Sequence, residues 1–221
     1  MIGIIFIAPP AAGKGTQSDM IRKKYGFEYI GTGDILRKAS LEENIEALYI
    51  QEEMENGELV DDDLIVDLFE KELSLLNGKN FIIDGFPRNL NQAYKLDMML
   101  EKKSINKLFV FHIDVPYNTV KTRIIGRLIC SNCKTVYNSL IDALKPKNSD
   151  ICDKCNVKLI KRDDDTESTF SKRFEFYEKE TKPLIDYYND KGYLYHINGS
   201  LESNEIFNQI DVILKGYIEN D

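Results

Sequence analysis

The run Ile2-Gly3-Ile4-Ile5-Phe6-Ile7 leads directly into Ala8-Pro9-Pro10-Ala11-Ala12-Gly13-Lys14-Gly15-Thr16-Gln17, and a helical pattern (Ser18, Met20, Ile21, Tyr25) follows. Few backbones satisfy such a stretch. The apolar run is too short for a buried helix and suits a strand; the small residues make a tight loop, and the loop opens a helix. At that junction backbone N–H groups and the helix dipole favour an anion, and a lysine can reach outer phosphates. The loop departs twice from the usual phosphate-binding pattern. Ala8 stands where Gly normally opens it, and Gly15 separates Lys14 from Thr16. Taken alone, the fragment also fits an ordinary strand-turn-helix junction.

The rest of the chain extends the alternation. Further β-rich runs occur at Glu28–Ile30, Asn80–Asp84, Leu108–Val115 and Tyr193–Ile197, making five with Ile2–Ile7. Between them lie segments of helical periodicity, such as Leu64, Leu68, Leu75 and Leu96, Met99, Leu100. Strand and helix in alternation predict an α/β fold, a five-stranded parallel sheet covered on both faces. Ligands of such sheets sit at the carboxyl ends of the strands. Ala8, Gly31, Asp84 and Val115 are therefore expected to converge.

Composition narrows the class. A chain of 221 residues holds one sizeable core with one or two inserted lobes. Its 43% hydrophobic and 30% charged residues are those of a soluble globular protein. A net charge of −8 argues against nonspecific binding of nucleic acid. No apolar run approaches membrane-spanning length, and Met1-Ile2-Gly3 opens no secretory signal, so a cytoplasmic location is expected. Of 29 basic residues only seven are arginine: Arg22, Arg37, Arg88, Arg123, Arg127, Arg162 and Arg173. A lysine-rich chain that turns to arginine at a few places points to sites where the planar fork is needed, for instance to hold phosphate.

Three further segments carry chemistry. Thr32-Gly33-Asp34-Ile35-Leu36-Arg37 reads as a turn in which Asp34 caps a helix; an acidic helix from Glu42 to Glu58 follows, with Gly57 as its C-cap. Asn80-Phe81-Ile82-Ile83-Asp84-Gly85-Phe86-Pro87-Arg88 ends a strand in a carboxylate. Near a phosphate-binding loop such an Asp orients Mg²⁺ or its waters; an Asp-Gly turn is the alternative. A helix from about Pro116 runs into Arg123-Ile124-Ile125-Gly126-Arg127, after which Cys130, Cys133, Cys152 and Cys155 are spaced C-x2-C-x18-C-x2-C. Two such pairs suit tetrahedral Zn²⁺, and a site filled by four thiolates leaves no open position, so the metal is expected to be structural. A redox pair or disulfides are the alternative, which a reducing compartment disfavours. A lobe of this size has too little core of its own, and a metal can supply the missing stability. Tyr137 to Asp150 reads as loops and short strands, Thr169 to Asp190 as helix, and Ile206, Ile210, Ile213 and Leu214 mark a closing amphipathic helix. His112 and His196 lie in apolar strands and read as core or strand-flank histidines rather than catalysts.

In this order the fragments resemble the adenylate kinase family, in its long form with a zinc-bearing lid. The family's loop G-x-P-G-x-G-K-G-T-Q is similar to Ala8–Gln17, its S-T-G-D-x-L-R to Gly31–Arg37, and its D-G-F-P-R-x-x-x-Q to Asp84–Gln92. The resemblance covers essentially the whole chain, and every arginine except Arg22 falls on a position the family uses for phosphate or adenine. It implies phosphoryl transfer from ATP to AMP with Mg²⁺, on a core of residues 1–30, 61–126 and 166–221 with an AMP-binding lobe (31–60) and a lid (127–165). It implies Lys14, Asp84, Arg88, Arg127, Arg162 and Arg173 as the catalytic set. ATP would lie on Ala11, Ala12, Gly13, Lys14, Gly15 and Thr16, with Arg123, Arg127, Val136, Tyr137 and Leu201. AMP would be held by Thr32, Arg37, Glu58, Leu59, Val60, Gly85, Phe86, Pro87, Arg88 and Gln92, with Arg162 and Arg173. A monomer without nucleic-acid or membrane partners is expected.

The chain departs from the family at Ala8 and Ala11, where Gly is usual, at Glu58, often basic, and at Leu128, often Arg. A kinase of CMP, UMP or GMP is the nearest competing reading. A switch GTPase would need an Asn-Lys-x-Asp motif that the chain lacks, and a zinc-knuckle nucleic-acid module would not place Asp150, Asp153 and Asp163–Asp165 around the cysteines.

Overall fold

A computed structural model describes residues 1–56, 60–103, 105, 107–162 and 164–218. In chain order the elements are β1 (Ile2–Ile7), α1 (Lys14–Tyr25), β2 (Glu28–Gly31), α2 (Thr32–Ala39), α3 (Ile45–Asn56), α4 (Asp62–Ser74), β3 (Phe81–Asp84), α5 (Leu90–Lys102), β4 (Lys107–Asp114) and α6 (Tyr117–Ile125). Then come β5 (Arg127–Cys130), β6 (Val136–Asn138), β7 (Leu159–Ile160), α7 (Glu167–Phe176), α8 (Leu184–Asp190), β8 (Leu194–Asn198) and α9 (Ser203–Ile218).

Five strands form one sheet in the order β2-β3-β1-β4-β8, every pair parallel. All six residues of the central β1 are buried, as a strand covered on both faces requires. The side-chain alternation of a strand explains the division of the core. Ile5, Ile7, Ile83 and Val110 face a cluster with Phe69, Phe86, Leu96, Leu184 and Tyr188 from α4, α5, α8 and the turn after β3. Ile4, Phe6, Ile82, Phe109 and Phe111 face Ile21, Val120, Ile124, Ile210 and Leu214 from α1, α6 and α9. Phe69 and Phe86 stack with centroids 4.2 Å apart. The register Ile5↔Ile83 and Ile7↔His112 aligns the strand ends, so the loop after β1, Asp84 and the segment after β4 leave the sheet on one edge.

Between α6 and α7 the chain builds a separate antiparallel sheet in the order β6-β5-β7, packed around Cys130, Tyr137, Cys152 and Leu159. Most elements fall where the sequence places them, with four corrections. Thr32, not a residue after Asp34, begins α2; Gly31 is its N-cap, and Asp34 lies in its first turn paired with Arg37. The helix expected from Glu42 starts at Ile45 because the Asn44 side chain accepts from the Ala47 N–H and caps it; its expected end at Gly57 and Glu58 lies outside the described residues. Gly126 ends α6, so Arg127 belongs to β5 rather than to the helix. The helix expected over Thr169–Asp190 is split by a π-helical turn at Tyr177–Thr181, next to Pro183, which cannot donate a helix hydrogen bond. Among the described residues no helix is long and apolar enough to cross a membrane.

Candidate active site

Lys14 is the first residue of α1, and Gly13 before it sits at φ 98°. That conformation points the first-turn N–H groups, which no helix can pair internally, toward the open side of the loop. Ala11 adopts φ 60°, the left-handed region that Gly fills without strain and that costs an L-residue about 1–2 kcal/mol. The loop thus holds an alanine in a glycine-like conformation, at a local cost. Lys14 Nζ donates to the carbonyls of Ala8 (3.1 Å) and Pro9 (3.2 Å), so its ammonium arches back over the loop.

Facing it is the end of β3. The Asp84 carboxylate accepts from Tyr29 Oη at 2.9 Å, a partner that motif reading does not supply. Gly31 makes room for that phenol: a Cβ there would lie 2.7 Å from the Tyr29 ring. Thr32 Oγ1 donates to the Asp84 carbonyl at 3.2 Å, tying the start of α2 to the same turn. Arg88 is fixed on three sides. Its Nε donates to the Gly85 carbonyl (2.8 Å), its N–H to Gln92 Oε1 (2.7 Å), and its carbonyl accepts from Thr181 Oγ1 (2.8 Å) on the π-helical turn. Thr181, like Tyr29, carries no sequence signal of its role.

The electrostatics of this cluster are one-sided. Burial lowers the pKa of Lys14; Asp84 opposes the shift, and the charges of Arg88 and Arg127 reinforce it. Arg88 shifts the same way for the same first reason, with Asp84 opposing and Arg173 adding repulsion. Burial also lowers the pKa of Arg123, whose guanidinium donates to the Gly199 carbonyl (3.1 Å) and to that of Ala12 (3.5 Å), joining the turn after β8 to the loop. Cations gathered this way, with one carboxylate at their centre, favour a multiply charged anion.

Three further arginines, Arg127, Arg162 and Arg173, stand at the join between the small sheet and α7. Arg127 makes a two-pronged contact with Asp165, Nε to Oδ2 at 2.7 Å and Nη2 to Oδ1, and the Asp165 side chain is fully buried. Arg173 pairs with Asp164 at 2.7 Å. Arg162 is exposed beside them, and Lys121 bonds Glu167 at the start of α7.

On the α2 side the expected residues divide. Arg37 is exposed and pairs with Asp34 at 2.5 Å. Val60 and Phe86 are buried in the core, and Pro87 is buried too, after a cis bond; what they offer a ligand is backbone. Gln92 is buried with both ends of its amide engaged, Oε1 by Arg88 N–H and Nε2 by Asp62 at 2.5 Å. Glu58 and Leu59 lie outside the described residues. In the small sheet Val136 is half exposed, whereas Tyr137 is buried, its Oη 3.5 Å from Cys152 Sγ and accepting from Asp153 N–H at 2.9 Å. Tyr137 therefore belongs to the cysteine cluster. Leu201 is partly exposed just beyond Gly199.

The four cysteines are free thiols whose sulfurs lie within 4.8 Å of one another. Tetrahedral zinc with Zn–S near 2.3 Å spaces its sulfurs about 3.8 Å apart, so the set needs only slight contraction. Cys133 Sγ and Cys152 Sγ stand 3.6 Å apart, far from disulfide contact. Hydrogen bonds from Thr135 hold the Cys133 thiol down to about 6, within reach of the thiolate a metal requires. His112 and His196, as expected, serve no cation cluster: they touch each other through Nδ1 at 3.2 Å, and Tyr177 backs His112.

A parallel five-stranded sheet, the strand-loop-helix of β1 and α1, and half-buried cations converging at the strand ends fit a P-loop kinase of the α/β class. The model of the adenylate kinase family matches residues 6–193. An adenylate kinase of Archaeoglobus fulgidus is 42% identical over 97% of this chain and 98% of its own length, one of Clostridium tetani 39% identical over 96% and 98%, and one of Thermodesulfovibrio yellowstonii 40% identical over 96% and 98%. This chain belongs to the adenylate kinase family.

The Arg127–Asp165 pair makes a stability prediction. Replacing Arg127 by Met leaves a fully buried carboxylate without its partner, and urea unfolding should show a loss of about 3 kcal/mol. Asp165→Leu added to that variant should recover part of the loss; equal stability of both variants and the parent would refute the pairing.

Proposed function

We propose that the chain transfers the terminal phosphoryl group of ATP to AMP, reversibly giving two ADP. The observation that carries this reading is the half-buried pair of Lys14 and Arg88 around Asp84, with Arg127 and Arg173 close enough to add to its charge. An AMP phosphate oxygen is already ionised at neutral pH, so no general base is needed. The protein's work is then to bring two polyanions into line and to offset charge on the group in transit.

In this reading the backbone of Ala11–Thr16 and Lys14 cradle the ATP phosphates, and Arg123 borders the ATP base between the loop and Gly199. Arg88, held by Gly85, Gln92 and Thr181, lies between the two phosphate groups. Arg127, Arg162 and Arg173 complete the clamp, the two that pair with Asp165 and Asp164 exchanging part of that bonding for phosphate. Thr32, Arg37, the backbone of Gly85–Pro87 and Gln92 serve AMP, with residues 58–60 beside them. Asp84, oriented by Tyr29, has the donor chemistry to hold waters of a nucleotide-bound Mg²⁺, which would neutralise phosphate charge. Residues 31–60 and 127–165 act as lobes closing over AMP and ATP, excluding water from the transfer. Zinc on Cys130, Cys133, Cys152 and Cys155 stiffens the second lobe, and the enzyme works as a cytoplasmic monomer.

A coupled assay offering ATP with AMP, CMP, UMP and GMP in turn tests the reading. AMP should be the preferred acceptor, and Arg88→Ala should lower the rate by about 10³–10⁵-fold, the range for arginines that stabilise phosphoryl transfer. Equal rates with CMP or UMP would move the assignment to another nucleoside monophosphate. Metal analysis tests the lobe: about one zinc per chain is expected, with a lowered melting temperature after chelation. A metal-free protein of unchanged melting temperature would remove zinc from the account.

A further inference from the structure

The contact between Gln92 and Asp62 bears on which purine the acceptor site takes. A carboxamide has two N–H donors at one end and two lone pairs at the other, and turning it over exchanges them. In this structure it cannot turn freely. Gln92 Oε1 accepts from the Arg88 backbone N–H at 2.7 Å, and Gln92 Nε2 donates to Asp62 Oδ1 at 2.5 Å. The backbone N–H can only donate and an ionised carboxylate can only accept, so one orientation satisfies both and the reverse satisfies neither.

Asp62 is itself held for this task. Asn89 Nδ2 reaches its two oxygens at 3.2 and 3.0 Å, and Asn91 Nδ2 its Oδ2 at 3.1 Å. Asn89 is oriented by the same logic, since its Oδ1 accepts the Gln92 backbone N–H at 2.9 Å as the N-cap of α5, which leaves its amide nitrogen for Asp62. Burial alone would raise the Asp62 pKa, but the bonds from Asn91, Asn89 and Gln92 and the charge of Lys95 outweigh it, and the carboxyl is held below its ordinary value. It remains an acceptor at neutral pH.

Each end of the Gln92 amide retains one open valence, a lone pair on Oε1 and an N–H on Nε2. Adenine offers a donor at N6 and an acceptor at N1, which match. Hypoxanthine and guanine offer an acceptor at O6 and a donor at N1, the reverse pattern, and would be matched only by the turned amide. We propose, resting on the reading in which Gln92 meets the AMP base, that Asp62 is a specificity-determining residue that locks the Gln92 carboxamide against the orientation a 6-oxopurine requires. Discrimination then arises from what the site refuses as well as from what it binds. Asp62 touches no substrate; it acts through Gln92.

The test compares kcat and KM for AMP and inosine monophosphate, at saturating ATP, in the parent enzyme and in Asp62→Asn, Asp62→Glu and Gln92→Ala. Asp62→Asn keeps the shape but can donate, so the preference for AMP over inosine monophosphate should fall about tenfold or more, as expected for a site whose polar groups no longer mismatch the wrong base. The change should sit mainly in KM for the acceptor, with KM for ATP unaltered. Asp62→Glu keeps an acceptor-only group and should keep most of the preference. If Asp62→Asn slows both acceptors by the same factor, or leaves inosine monophosphate no better relative to AMP, the residue is only structural and the proposal is overturned. Gln92→Ala separates the premise from the proposal. A raised KM for AMP upholds the base contact, whereas unchanged constants for both acceptors would overturn the contact and the Asp62 lock together.

Discussion

Positive charge gathered at the end of the parallel sheet is the constraint on which the other features depend. An ammonium at Lys14 and a guanidinium at Arg88 are partly withdrawn from water within range of each other and of Arg127, with Asp84 as the opposing charge. Such an arrangement costs folding free energy, and only a precise scaffold can hold it. The scaffold is visible in the contacts. Lys14 is tethered to two loop carbonyls, Asp84 to Tyr29, and Arg88 to Gly85, Gln92 and Thr181. The strands β1 and β3 pair in register, so these groups face one another without any long connection.

The same economy extends to the periphery. Arg127 and Arg173 each have a carboxylate partner at the junction of the small sheet and α7. Arg127 is mostly buried against Asp165, whereas Arg173 and Asp164 stay partly exposed. The cysteine cluster fixes the other end of that sheet, and Tyr137 joins its buried core. The small sheet is thus held by the sulfur cluster with its few buried neighbours and, at the join with α7, by ion pairs.

Much of this was legible in the residues. The apolar runs placed all five parallel strands within a residue or so, because buried strands in a parallel sheet leave a continuous signal. The cysteine spacing, the Asp-Gly-Phe-Pro-Arg segment and the scarcity of arginine pointed to residues that the structure brings together, Lys14, Asp84, Arg88 and Arg127 among them. What escaped was of two kinds. Helix limits depend on capping chemistry that several residues can supply, so Asp34 was mistaken for a cap that Gly31 provides and Asn44 was passed over. Supporting residues such as Tyr29, Asp62 and Thr181 act through side-chain contacts across 55, 30 and 93 positions, and no local pattern marks them. At Ala11, where the family usually has Gly, a φ of 60° shows the backbone imposing on alanine the conformation that glycine takes freely.

The central claim, that the chain holds a preformed site for polyphosphate at Lys14, is tested most directly by thermal unfolding in the presence of inorganic tripolyphosphate, with no nucleoside to contribute base contacts. The melting temperature should rise with tripolyphosphate concentration as a ligand of the native state demands, and the rise should largely vanish in Lys14→Met. A melting temperature that ignores the anion, or that rises equally in the parent and in Lys14→Met, would contradict it.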